Sequence, residues 1–248
     1  LGVVFSLTTQ SISSFGDLRV TAYGQTQQAG EFVRAFGPLK VNGFDISPIS
    51  TTLSASIASG KSYRFGGFYS QNPETPSSYD ANAVPTASFV RVYRDPAVLG
   101  GYKAVVQTNG APYKAIDPTK YDDGTGTLAS VGSGEFTIQR IFQGVVNGVS
   151  YIYYGQNKYT SLTNALSSIT TEDFVESQTS VVTLPFIGYV IVEGTATSLA
   201  DTNTSRIINS GLFRNTAGSS GGGGAAVTNL NDLGDVIITG AANGQALI

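Results

Sequence analysis

From residue 3 to about residue 154 the chain alternates short apolar or every-second-residue runs with clusters of Gly, Asn, Pro and Ser. That period belongs to half-buried strands joined by tight turns, and it predicts strands at 3–8, 18–23, 40–45, 51–57, 62–68, 88–93, 102–107 and 135–142. The clearest hairpin is centred on Asn147 and Gly148, because that pair can supply the two left-handed conformations a type I′ turn requires. The stretch 71–85 holds three prolines and few aliphatic residues, and reads as a long surface loop carrying an exposed Tyr79. After Tyr159 the period changes. Leu162, Ala165, Leu166 and Ile169 fall at i, i+3, i+4 and i+7, one face of a short helix over 160–170 with Thr160 or Ser161 as N-cap. Three turns do not hold alone, so this stripe is expected to pack on a strand at 180–193.

Residues 218–226 form a Gly/Ser linker, since a run such as Gly221 to Gly224 loses too much backbone entropy to be ordered in a core. Four segments are therefore expected: a β-rich domain at 1–115, a β module with the helix at 116–217, the linker at 218–226, and a short apolar unit at 227–248 that reads as the truncated start of a stalk repeat. The predicted fold class is mainly β, as antiparallel sandwich or barrel-like modules with one short helix. The 248 residues suffice for one large β domain or two small ones.

Composition sharpens this picture. Charged residues are 12% of the chain against a usual figure of about 25%, so hydroxyls and amides supply most of the polarity. A net charge of -3 with no basic run removes the electrostatic term that drives nucleic-acid binding. No apolar run reaches the roughly 20 residues of a membrane-spanning helix; the longest, around Leu184 to Val192, is interrupted by Pro185 and Gly188. The chain has no Cys, His, Met or Trp. Ser-His-Asp and Cys-His catalysis and histidine or thiolate zinc sites are excluded for these residues, and no cofactor is implied.

The remaining chemical candidates each have a structural explanation. Ser59-Gly60-Lys61-Ser62 resembles the end of a phosphate loop, but Ala55 stands where the first Gly belongs. Asp117, Asp122 and Asp123 precede Gly124 and could offer oxygens to Ca²⁺, yet Thr119 and Tyr121 break the EF-hand spacing and Asp-Gly turn chemistry accounts for the cluster. Paired carboxylates for glycoside hydrolysis would have to come from Glu172 with Asp173 or Asp232 with Asp235, which sit in helix-end and repeat contexts. Of the 13 tyrosines, Tyr151 and Tyr153 read as packing residues, whereas Tyr79 and Tyr113, beside loop prolines, are the candidate surface contacts.

Two stretches carry a family resemblance. Leu230-Asn231-Asp232-Leu233-Gly234-Asp235-Val236-Ile237-Ile238-Thr239, followed by Asn243-Gly244-Gln245-Ala246-Leu247, resembles a short unit of bacteriophage tail fibres and related virion structural proteins. The segment from Ile116-Asp117-Pro118-Thr119-Lys120-Tyr121-Asp122-Asp123-Gly124 through Tyr153-Tyr154-Gly155-Gln156 and Tyr159-Thr160-Ser161-Leu162 to Phe213 is similar to a phage module ordered as tyrosine-rich strand, short helix and final strand. The resemblance implies an extracellular virion location, homotrimeric assembly, contacts with other tail or baseplate proteins, and attachment to a host surface glycan or protein. A unit of some 20 residues cannot bury its own apolar side chains, so Leu230, Leu233, Val236 and Ile238 are the expected oligomer seam. The expected function is a structural and adhesive fibre component without enzymatic activity. The alternatives are a carbohydrate-binding module of a bacterial surface protein and a fragment of a polysaccharide depolymerase.

Overall fold

The computed structural model describes residues 2–5, 14–17, 27–28, 30–31, 35–64, 67, 72–144 and 149–211. The linker at 218–226, the unit at 227–248 with its expected seam, the predicted strand at 18–23 and the turn residues Asn147 and Gly148 lie outside these.

The protein is mainly β. β1 (Gly2–Phe5) pairs antiparallel with β2 (Ser14–Asp17). β3 (Leu39–Gly43) begins a second group; β4 (Ile46–Pro48) pairs with β5 (Ala55–Ile57), and β6 (Gly60–Tyr63) lies between β3 and β7 (Ser78–Ala81). β8 (Ser88–Arg94) and β9 (Tyr102–Val105) form a hairpin, and β10 (Lys120–Asp122) pairs with β11 (Leu128–Ser130). β12 (Phe136–Gln143), β13 (Val149–Tyr153) and β14 (Lys158–Tyr159) precede the helices α1 (Leu162–Ser168) and α2 (Gln178–Thr183). β15 (Phe186–Glu193) and β16 (Ser205–Asn209) complete the described strands.

The large sheet runs β16-β15-β12-β13-β8-β9, with β14 added on β12. All its pairings are antiparallel except β13 with β8, which run parallel from Val149 beside Ser88 to Tyr153 beside Val92. This pairing overturns the expected boundary between 115 and 116. Strands from both sides of residue 115 share one sheet, β8 and β9 from the earlier part and β12, β13, β15 and β16 from the later.

Alternation along β15 shows why both faces of that sheet are dry. Val190 and Val192 enter a core with Phe44, Ile46, Ala55 and Ile57 of the β4–β5 region, together with Phe89, Ile141 and Ile152. Tyr189 and Ile191 enter a second core on the opposite face with Ile138, Phe142, Tyr153 and the apolar side of α1. Every residue of β12 is consequently buried, Thr137, Gln139, Arg140 and Gln143 included.

The predicted helix is present, shortened to α1. The Ser161 hydroxyl caps it by accepting from Asn164 N, and Ala165, Ile169, Leu162 and Leu166 all join the second core as their spacing requires. The strand expected at 180–193 starts only at Phe186. Residues 178–183 are instead the helix α2, capped by Ser177, whose side chain accepts from Ser180 N. Leu184, held extended (φ -112°, ψ 119°) before Pro185, ends the helix and turns the chain into β15. The expected loop at 71–85 contains β7, which places Tyr79 opposite Ser62 in a sheet.

Two close approaches fix the stacking of β4 on the large sheet. A Cβ at Gly188 would stand 2.7 Å from Ile208 O and 2.9 Å from Ile46 Cδ1, so only Gly fits at this bulged end of β15. Beside it, Asn209 Oδ1 accepts from Ile46 N at 2.7 Å, while Asn209 Nδ2 donates to Ile46 O at 3.4 Å. One side-chain amide thus satisfies both backbone groups of a buried residue that has no strand neighbour on that side.

Candidate functional site

Among the described residues, the acidic groups singled out in the sequence do not converge. Asp122 is bound to Arg94, accepting from its Nε at 3.0 Å and from its backbone N at 2.9 Å. Asp117 accepts the Tyr154 hydroxyl at 2.9 Å, Arg91 Nη1 at 3.4 Å and the backbone N and hydroxyl of Thr119. Asp123 closes a local turn on Thr125, and those hydrogen bonds hold its carboxyl below the usual carboxylate range. Ser59, Lys61 and Ser62 flank Gly60 in and beside β6, and Lys61 faces Asp80 at 3.3 Å.

Glu172 has the most unusual setting. Its side chain is completely buried and meets Arg140 Nη2 at 2.7 Å, with Asn157 Nδ2 donating to its other oxygen at 3.2 Å. The Arg140 guanidinium lies 3.8 Å from the centroid of Phe174 and 5.4 Å from that of Tyr189, sandwiched against aromatic faces. Burial, reinforced by the Glu172 charge, pushes the nearby Tyr159 hydroxyl up to about 12. Asp173, its sequence neighbour, is exposed. The two carboxylates therefore occupy different environments and face no common space, and Glu172 is a fastening between the segment after α1 and the middle of β12.

Tyr113 is not a free contact residue. Arg91 stacks on its ring at 3.8 Å, its hydroxyl donates to Val106 O at 3.3 Å, and its backbone bridges to Phe89. No short window reveals this, because Arg91 comes from a strand 22 positions earlier. Tyr151 and Tyr153 do pack in the core: Tyr153 stacks edge-on with Phe142 at 5.2 Å and its hydroxyl meets Ser180 Oγ at 2.8 Å.

Tyr79 has a different environment. It forms one wall of a pocket of about 320 Å³. The floor is apolar, made by Phe44, Ile57 and Val84, and is locked by paired backbone hydrogen bonds between Ile57 and Val84 at 3.0 and 2.8 Å. Asn82, Ser88 and the buried Gln143 supply the polar part of the lining, and no lining residue is charged. Asn82, Ala83 and Pro85 are exposed, so the mouth opens at the 82–85 turn. Gln143 is an end member of β12, and its amide donates to Gly144 O at 2.9 Å while its carbonyl accepts from Ser150 at 3.2 Å.

No family model matches this chain, and no curated protein or solved structure matches it. The site is therefore judged on its chemistry. A half-apolar, uncharged concavity with an aromatic wall and polar side chains at its mouth is suited to holding a small neutral ligand. The sequence pointed to Tyr79 but not to its partners, since Phe44, Val84 and Gln143 come from three separate parts of the chain. Among the described residues, no group of His, Cys, Asp or Glu could hold a metal ion, and no helix is long and apolar enough to cross a membrane.

Proposed function

We propose that this chain is a structural and adhesive component of a bacteriophage tail fibre, assembled as a homotrimer and taking part in host attachment. The observation that carries the reading is a cross-braced β body followed in the same chain by the fibre-like unit Leu230 to Leu247. Ion pairs Arg94–Asp122, Arg91–Asp117 and Arg140–Glu172 each tie together segments distant in sequence, which suits a part that transmits load. In this reading the unit at 227–248 closes its apolar seam with two further copies, other tail proteins bind the ends, and the exposed turns meet the host outside the cell.

Light scattering of the intact chain tests the assembly. A mass three times the 25.8 kDa of one chain is expected, and a stable monomer would remove the argument for the seam. Competition by the purified protein for phage adsorption tests the attachment role. A carbohydrate-binding module of a bacterial surface protein is the second reading, favoured by the Tyr79 pocket alone. It predicts a monomer that binds glycans without blocking adsorption.

A further inference from the structure

We propose that the two open edges of the large sheet, β9 and β16, pair with one another between neighbouring copies of this chain and close a ring of three. The inference rests on the homotrimer reading above and gives it a second interface that can be tested separately.

The strand order ends in β9 on one side and β16 on the other, and among the described residues no strand lies beyond either. Hydrogen bonds fix which backbone groups face outward. In an antiparallel pair, opposed residues exchange both bonds or neither, alternating along the strand. Asp95 N donates to Gly101 O at 2.9 Å, so Arg91 and Tyr93 bond to their partners Val105 and Lys103. Tyr102 and Ala104 therefore turn their N–H and C=O groups away from β8, into the open edge. At the other end, Glu193 N donates to Thr204 O at 2.8 Å and Ser210 N to Ile187 O at 2.9 Å. Arg206 and Ile208 hence bond to β15, and the backbone groups of Ile207 and Asn209 point outward. An edge of this kind is a template for another strand.

Strand direction selects the partner. Following the pairings across the sheet, β9 and β16 run the same way. Rotating a copy about an axis along the strands brings its β16 beside β9 as a parallel pair, with like faces of the sheet continuous. The side chains agree. Tyr102 and Ile208 lie on the α1 face and Ile207 on the β4–β5 face. By alternation Ala104 and Arg206 belong to the α1 face, Lys103 and Val105 to the other. The exposed cations Lys103 and Arg206 thus sit on opposite faces and do not meet. Lys103 reaches over Tyr93 of its own sheet at 6.0 Å, clear of the edge. Leu99, fully exposed before β9, and Val106, 37% exposed after it, add apolar surface along the same border.

A two-fold contact of β9 with itself would leave β16 open. The β9–β16 contact is heterologous, satisfies both edges, and closes when each copy turns by a third of a circle.

The chain has no Cys, so introduced thiols report this contact without background. Within one chain, 104 and 206 are five inter-strand steps apart, roughly 24 Å, too far for a disulfide. Two double variants of the intact chain cover adjacent registers: Ala104→Cys with Arg206→Cys, and Ala104→Cys with Ile208→Cys. After oxidation, one of them is expected to give covalent species that stop at three chains on a non-reducing denaturing gel. Ala104→Pro deletes an outward N–H without touching a bond to β8, and should weaken the trimer at least tenfold in sedimentation with the circular dichroism unchanged.

A trimer in which neither pair cross-links, or which is indifferent to Ala104→Pro, overturns the edge pairing and leaves the trimer resting on the unit at 227–248. Cross-linking of Ala104→Cys alone means a β9–β9 contact and overturns it as well, as does a ladder running past three chains. A monomeric parent removes this proposal and the trimer reading together.

Discussion

Replacing Glu172 by Gln isolates the energetics of the buried ion pair beneath α1. The two side chains are 4% and 0% exposed, with Arg140 Nη2 2.7 Å from the carboxylate. Arg140 Nε and Nη1 have no hydrogen-bond partner, so the guanidinium charge is balanced by Glu172 and by the faces of Phe174 and Tyr189. Glu172→Gln keeps the shape and leaves that charge uncompensated in a dry site, at a cost of about 3–5 kcal/mol. For a chain of this size each kcal/mol lowers the melting temperature by roughly 2–4 °C, so calorimetry should show a fall of about 6–20 °C. The double variant Arg140→Met with Glu172→Leu removes both charges and should recover most of the loss, because a well-packed apolar pair of similar volume is often as stable as a buried ion pair. A single variant melting within about 2 °C of the parent, or a double variant no better than the single, would refute the reasoning.

Asn209→Ala deletes the amide that pairs with both backbone groups of Ile46, and should lower the urea unfolding free energy by about 1–3 kcal/mol with the slope unchanged; a loss below about 0.5 kcal/mol would show that this pairing does not hold β4 in place. The tyrosines set the alkaline limit. Burial, then neighbouring charge, raises Tyr102 and Tyr159 from 10.0 to about 12, and burial followed by the charge of Asp117 raises Tyr154 higher still. The folded state therefore binds these protons more tightly than the unfolded chain does. Their contribution is fully present below about pH 10 and is lost as pH rises through the folded values near 12, so urea midpoints should fall across that window. Retention of native circular dichroism while all 13 tyrosines ionise at their ordinary value would contradict this.

Local pattern reached as far as local physics decides. The stripe Leu162, Ala165, Leu166 and Ile169 named both the helix and its buried face, and alternation located β3, β8, β9 and β12 within a few residues. It misread 180–183, because Val181 and Val182 favour strands while the helix there is held by the Ser177 cap and by Tyr153, which bonds to Ser177 and Ser180. Pro73 and Pro76 disguised β7, which begins just beyond them and pairs through its backbone with β6. The polar alternation of β12 reads as a half-exposed strand; one face is covered by the β4–β5 region far earlier in the chain and the other by α1, some 20 positions later, and no short window reveals that. The candidate site divides in the same way. Tyr79 was visible as a tyrosine outside the packing pattern, whereas Gln143 and Phe44 meet it only after the sheets have stacked.

The one parallel pairing among the described strands, β8 alongside β13, has a kinetic consequence. No hairpin can make it: the two strands are separated by 61 positions, and β12 must already sit on the other flank of β13. Closing so long a loop early is entropically unfavourable, so folding should be slow for the protein's size and should wait on the later half of the chain. On a ribosome the β8–β9 hairpin emerges with one edge unsatisfied and stays so until residue 153 has been made. During that interval it is open to pairing with the same hairpin on a neighbouring nascent chain.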